Sequence, residues 1–163
     1  MKKLANMAKI LKHYDSSTVE YFLSEEYPNL NYEIIHSFLA RHMMQDIGFF
    51  KDYMDINLSK CIVEEIELTS EQVLEIEYAS FCGYKNTDVE TFEQLKQVKP
   101  ELFIFGTFSD HIILIERNGE YVALDGNNRL RMLKCYILNA EKPLLSKHKA
   151  YLLKQKNKKT RLD

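Results

Sequence analysis

The chain has 163 residues, 45% of them hydrophobic and 28% charged, with a formal net charge of −2. That length suits one domain, or one domain with a helical extension. The charge balance and a pI near 6.2 do not mark a general nucleic-acid binder. No apolar run reaches the roughly eighteen residues a membrane span needs. Met1–Met7 holds no apolar signal core, so the expected setting is cytoplasmic. Cys61, Cys82 and Cys135 are odd in number and form no Cys-x-x-Cys, which argues against a zinc site or a disulfide framework. Each reads as a small buried or half-buried hydrophobe, and no metal-ligand set stands out.

Taken in order, residues 3 to 14 place Leu4, Met7, Ala8, Ile10 and Leu11 at helical spacing. Asp15-Ser16-Ser17-Thr18 is a helix-start signal, and Val19, Phe22 and Leu23 are the expected apolar face of the helix it opens. Tyr27-Pro28-Asn29 ends that helix. A third helix is expected from about Tyr32 to Met44, broken by Asp46-Ile47-Gly48, with a short helix or aromatic loop over Phe49 to Ile56. His36 and His42 are not at metal spacing and read as ordinary helix histidines. Residues 1–57 thus form a helical N-terminal region in which the residues suggest no chemistry.

Near Leu58 the period changes. Cys61 to Leu68 reads as a strand, and Thr69-Ser70-Glu71 as a turn or helix cap. Residues 73–77 fit helix or strand. Phe81 to Asp88 reads as a loop, Thr91 to Val98 as a short helix ending near Pro100, and Leu102 to Phe105 as an apolar run closed by Gly106. Six glutamates between Glu64 and Glu77 make this stretch acidic; a solvated face is preferred over a paired-carboxylate site.

Asn118-Gly119 between two apolar runs is a strong hairpin signal, because both residues tolerate the positive φ of a type I′ turn. A two-residue turn pairs Arg117 with Glu120, Ile115 with Val122 and Ile113 with Leu124. Carried further, it sets Ile112 opposite Asp125 and His111 opposite Gly126. Both faces of the hairpin are largely apolar, so it is expected mid-sheet, covered on both sides.

Leu130, Leu133, Ile137 and Leu138 predict a helix from about Asn128 to Asn139. Asp125-Gly126-Asn127-Asn128-Arg129 then becomes a strand-to-helix turn. Gly allows a close backbone approach, and Asn is a good N-cap. N–H groups of a first helical turn, aided by the helix dipole, form an anion site. Arg129 can add a two-pronged contact to a phosphate. A plain helix cap with solvated arginines fits the same residues.

The stretch Tyr121 to Leu133, with Gly126 and Arg129 at its centre, resembles the signature of the ParB/sulfiredoxin-like fold. Gly106-Thr107-Phe108-Ser109-Asp110-His111 is similar in position to that family's loop before its second strand. The similarity spans roughly residues 60 to 155, of which about fifteen are distinctive. The resemblance implies an α+β fold, with the helical N-terminal region packed on a small mixed β-sheet over residues 58–155. It also implies a nucleotide- or phosphate-binding turn at Gly126, Asn127, Asn128 and Arg129. It admits phosphoryl transfer or nucleotide hydrolysis, for which a nucleotide with Mg2+ would be the cofactor. The base would then be Asp125 or His111, whose side chains the hairpin register brings to the mouth of the turn, with Asp110 the neighbour that could orient His111. Asn127 and Asn128 stand where sulfiredoxins carry Cys and His, so that chemistry is not expected here.

Glu141-Lys142-Pro143 precedes a last strand over Ala150 to Leu153. The tail, residues 156–163, is basic. It fits weak nucleic-acid contact and equally a disordered, solubilising end. Two alternatives accompany the phosphate reading. One is a non-enzymatic DNA-associated or protein-interaction module of a bacterial or phage regulatory system. The other is a ParB-like nuclease, which would need a metal site.

Overall fold

The computed structural model describes residues 2–45, 53, 55–83 and 92–155. Within them the protein is mixed α+β, a helical region plus a four-stranded mixed sheet. The chain divides into two compact units. One runs to Val63 and takes the chain back from Leu153; the other comprises residues 64–152.

The first unit is helical. In α1 (Lys2–Leu11), Leu4, Ala8 and Leu11 fall on one face and are buried. α2 (Ser16–Glu26) starts where the sequence marks it, because the Asp15 carboxylate accepts the Thr18 N–H at 2.9 Å. Val19 and Leu23 are buried in α2, but Phe22 is turned outward. Phe22 was expected on the apolar face; its ring instead lies beside Tyr14 and Tyr21. The third helix begins as a π-helical stretch, Ile34–Ala40, and continues as α3 (Arg41–Gln45). Five of the seven π-helical residues are buried: Ile34, Ile35, Phe38, Leu39 and Ala40. Asn29 donates to the carbonyls of Leu58 and Cys61, both at 2.8 Å, and so anchors the chain entering the first strand. The expected aromatic segment Phe49–Ile56 lies mostly outside the described residues; within it, Tyr53 and Ile56 are buried.

The second unit holds most of the sheet. β1 (Cys61–Thr69) leads into α4 (Ser70–Glu75) through a capping box, Thr69 and Gln72 each binding the other's backbone N–H. The undecided stretch 73–77 is both: helix as far as Glu75, then a parallel bridge from Glu77 to Val122. α5 (Phe92–Val98) and α6 (Pro100–Phe105) precede the hairpin of β2 (Ile112–Arg117) and β3 (Glu120–Asp125). α7 (Asn127–Asn139) follows, then β4 (Lys147–Gln155). The loop expected over 81–88 and the tail at 156–163 lie largely or wholly outside the described residues.

The strand order is β1-β4-β2-β3. β2 is therefore interior, but β3 ends the series, whereas the hairpin was expected mid-sheet. β4 takes the free side of β2, and among the described residues the far side of β3 meets only the short Glu77 bridge. The turn is two residues, with Asn118 at φ 55° and Gly119 at φ 86°, the type I′ geometry. Arg117 pairs with Glu120, Ile115 with Val122 and Leu114 with Ala123. A bulge then intervenes, and Ile113 pairs with Asp125. Leu124 is the extra residue, so the expected Ile113–Leu124 and Ile112–Asp125 pairs do not form and His111 loses its place opposite Gly126. A bulge bends its strand and raises local twist, which re-aims the residues beyond it. On one sheet face Ile112, Leu114, Ala123, Ala150 and Leu152 join Leu130, Leu133, Tyr136 and Ile137 of α7 in the unit's core.

Candidate functional site: the turn into helix α7

Gly126 is the N-cap of α7, with φ 82° and ψ 22°. This left-handed conformation is costly for any residue with a Cβ, and a Cβ here would also lie 2.9 Å from Arg129 Nη2. The close approach that a glycine was expected to allow is thus already used, by the guanidinium of Arg129. Asn was expected to cap the helix. Instead the helix starts one residue earlier, and Asn127 is its first residue, 7% exposed. Its Oδ1 accepts the Ala79 N–H at 2.9 Å and its Nδ2 donates to the Ala123 carbonyl at 3.1 Å. Asn127 therefore ties the segment after α4 to the hairpin; its amide faces inward, away from any ligand over the turn. Asn128 is exposed.

Arg129 folds back along the turn. Its Nη2 reaches Asp125 Oδ2 at 3.2 Å and the His111 carbonyl at 3.3 Å, and its Nη1 reaches Asp110 Oδ2 at 3.4 Å. Its Nε–H is buried and has no hydrogen-bond partner among the described residues. Asp125 is 6% exposed, so the Arg129 pair compensates a carboxylate that would be costly to bury alone. Asp110, expected to orient His111, joins Arg129 instead and is largely exposed.

The His111 ring turns toward the other strands. It stacks on Tyr151 with centroids 4.6 Å apart, and its Nε2 lies 3.4 Å from Glu65 Oε2. Lys149 Nζ donates to Glu65 Oε1 at 2.9 Å. Lys149 is the main cause holding the Glu65 carboxyl below its usual range, with His111 contributing. The structure thus gathers Asp110, Asp125, Gly126 and Arg129 at one point. It divides His111 between two sites: its carbonyl joins that point, and its ring joins Glu65 and Tyr151.

Cys82 closes a short 3-10 turn, Ser80–Cys82, and is half-buried. Burial first, and then the negative charge of Asp125, push its thiol pKa up, so it stays protonated at neutral pH. Lys134 is the site-supporting residue that sequence reasoning passed over. It is 5% exposed, its Nζ donates to the Ile76 carbonyl at 2.6 Å, and it lies 4.7 Å from the Tyr78 ring centroid. Desolvation lowers its pKa to about 8, against the opposing pull of Glu77. The signal was present in the sequence: 127, 130, 134 and 137 share the buried stripe of α7, and a lysine stands on it.

Among the described residues, no three His, Cys, Asp or Glu side chains are gathered as a metal ion would require. The turn's donor set does not fit a protein-held Mg2+, because Asp110 and Asp125 both face Arg129. An open cavity of about 540 Å³ lies elsewhere, at the opposite end of the hairpin, lined by Glu75, Glu77, Glu116, Glu120 and Tyr121 among others. No described helix is long and apolar enough to cross a membrane. The chain matches no family model, no curated protein and no solved structure.

Proposed function

We propose that the chain binds a phosphate-bearing ligand, a nucleotide in the first instance, at the N-terminus of α7 on a ParB/sulfiredoxin-like scaffold. One observation carries this: a thirteen-residue helix begins directly after a strand, at a glycine N-cap whose first turn receives no side-chain cap hydrogen bond. Such an end concentrates N–H donors and the positive pole of the helix dipole at one spot. Arg129 stands beside it with a buried Nε–H that lacks a partner among the described residues.

The same geometry limits affinity. One guanidinium faces two carboxylates, Asp125 and Asp110. A phosphate would displace Asp110, which is 69% exposed and 3.4 Å away, while the buried Asp125 keeps Arg129 in place. Weak, competitive binding follows. The proposal is for binding rather than catalysis, since Asp125 is held by Arg129 and the His111 ring points to Glu65. Calorimetric titration of ATP, CTP, GTP and their diphosphates into wild type and Arg129→Ala tests it. Arg129→Ala should lose about 1.5–3 kcal/mol of binding, the worth of a hydrogen bond to a charged group. Wild type that binds none of them at about millimolar concentration, the weak end of useful affinity, refutes the proposal.

A second proposal, a partner-binding module, is supported by an apolar surface around Gly106. Ile104 and Phe105 are 65 and 64% exposed, and Leu144 and Leu145 pack directly over Gly106 while remaining exposed themselves. Contiguous apolar surface of this kind favours macromolecular contact. Light scattering of wild type and Phe105→Ser tests whether that contact is self-association.

A further inference from the structure

The helical unit carries a surface that the phosphate site does not use. Ile10, Tyr14, Tyr21 and Phe22 are 65, 49, 64 and 45% exposed. Three of them form one continuous aromatic platform. The Tyr14 and Phe22 centroids are 6.4 Å apart and those of Tyr21 and Phe22 are 6.1 Å apart, both pairs edge-on. Neither ring of α2 fills the core; Val19 and Leu23 do that.

The cations near this platform in sequence come from α1. Residues 1–14 include Lys2, Lys3, Lys9 and Lys12 and no carboxylate. Lys3 pairs with Glu26. Lys9 and Lys12, on either side of Ile10, are exposed and make no ion pair among the described residues. Two nearby carboxylates, Asp15 at the N-cap of α2 and Glu20 within it, are held by local partners and keep their charge. Asp15 accepts from Ser17 Oγ, Thr18 N and Thr18 Oγ1, and Glu20 lies 2.6 Å from His36. Glu25, one turn beyond Tyr21, bounds the platform at its far end.

We propose that this platform binds single-stranded nucleic acid, with bases stacking on Tyr14, Phe22 and Tyr21 and backbone phosphates meeting Lys9 and Lys12. Open rings beside unpaired cations are the combination that unpaired bases and their phosphates satisfy together. A duplex hides its base faces and would use only the lysines. A bilayer fits less well, because the apolar stripe of α1, Leu4, Ala8 and Leu11, is already buried.

The test is fluorescence anisotropy of labelled DNA and RNA single strands of about 20 nucleotides, enough to span such a platform, titrated with the full chain. Binding should weaken as salt rises. Tyr14→Ala and Phe22→Ala should each lose about five-fold or more, the lower end for one stacked base. The double variant Lys9→Glu/Lys12→Glu should lose more and flatten the salt dependence. Glu25→Gln should tighten binding. Circular dichroism melting establishes that each variant folds; should an aromatic variant fail, the lysine pair, which is exposed, still decides. Four results overturn the proposal. One is no binding of single strands up to about 100 µM, the usual non-specific range. The others are equal binding of a duplex, loss only when the lysines of residues 156–163 are neutralised, and a response of these variants to phosphatidylserine vesicles or to protein concentration alone.

Discussion

Replacing Lys134 by methionine isolates the most unusual charge in the second unit. The ammonium is 5% exposed, donates to the Ile76 carbonyl at 2.6 Å, and lies over the Tyr78 ring. Together with Asn127, seven residues earlier on the same face, it holds the segment 76–79 against α7. Its pKa falls from 10.5 to about 8 on folding. Between those values the unfolded chain keeps the proton and the folded chain does not, so stability rises with pH across that window. At about 1.4 kcal/mol per unit of pKa, a drop of about 2.5 units is worth about 3 kcal/mol. Methionine keeps the length and cannot titrate. The stability of wild type minus that of Lys134→Met should therefore climb by about 3 kcal/mol from pH 7.5 to 10.5, the window set by that shift. Taking the difference cancels the titration of the other lysines and tyrosines. Urea unfolding followed by far-ultraviolet circular dichroism at several pH values measures it. At neutral pH, methionine relieves the buried charge and leaves the Ile76 carbonyl unsatisfied, opposing effects of about 1–3 kcal/mol each, so the net change there should be small. A difference that stays flat across the alkaline range refutes the assignment of Lys134 as a desolvated, latch-forming lysine.

Other substitutions should follow the same logic. Asn127→Ala leaves the Ala79 N–H and Ala123 carbonyl without their partner and should cost about 2–4 kcal/mol in urea unfolding, from two orphaned buried groups. Gly126→Ala forces a Cβ into φ 82° and against Arg129, and should cost about 1–2 kcal/mol while loosening the Arg129–Asp125 pair, read by unfolding and by chemical shifts at Asp125. His148 is 3% exposed, with Nδ1 unpartnered among the described residues and a pKa lowered from 6.5 by burial. Its contribution is intact above pH 6.5 and lost as pH falls through that value, because only the unfolded chain then takes the proton; His148→Phe should flatten acid unfolding there.

Much of the local structure was legible in the sequence, because it depends on neighbours along the chain. Asp15 and Thr69 announce their helices, since a short side-chain oxygen reaches an N–H three residues on wherever it stands. Asn118-Gly119 sets the first hairpin pairs, because a two-residue turn leaves its flanking residues one register. The division into a helical region and a sheet with its closing helix follows from the period of the apolar residues. The rest was decided in three dimensions. The bulge at Leu124 shifts the far end of the hairpin, where the turn's control has faded and packing governs. β4 enters between β1 and β2, a pairing between distant segments that no local pattern encodes. Asn127 has the side chain of a cap, yet it finds Ala79, 48 residues away, once Gly126 begins the helix. Arg129 was legible as a cation in a phosphate-like turn. That it would face Asp125, Asp110 and the His111 carbonyl was not, because a guanidinium takes the nearest carboxylates the fold presents, and the fold alone brings Asp110 within reach.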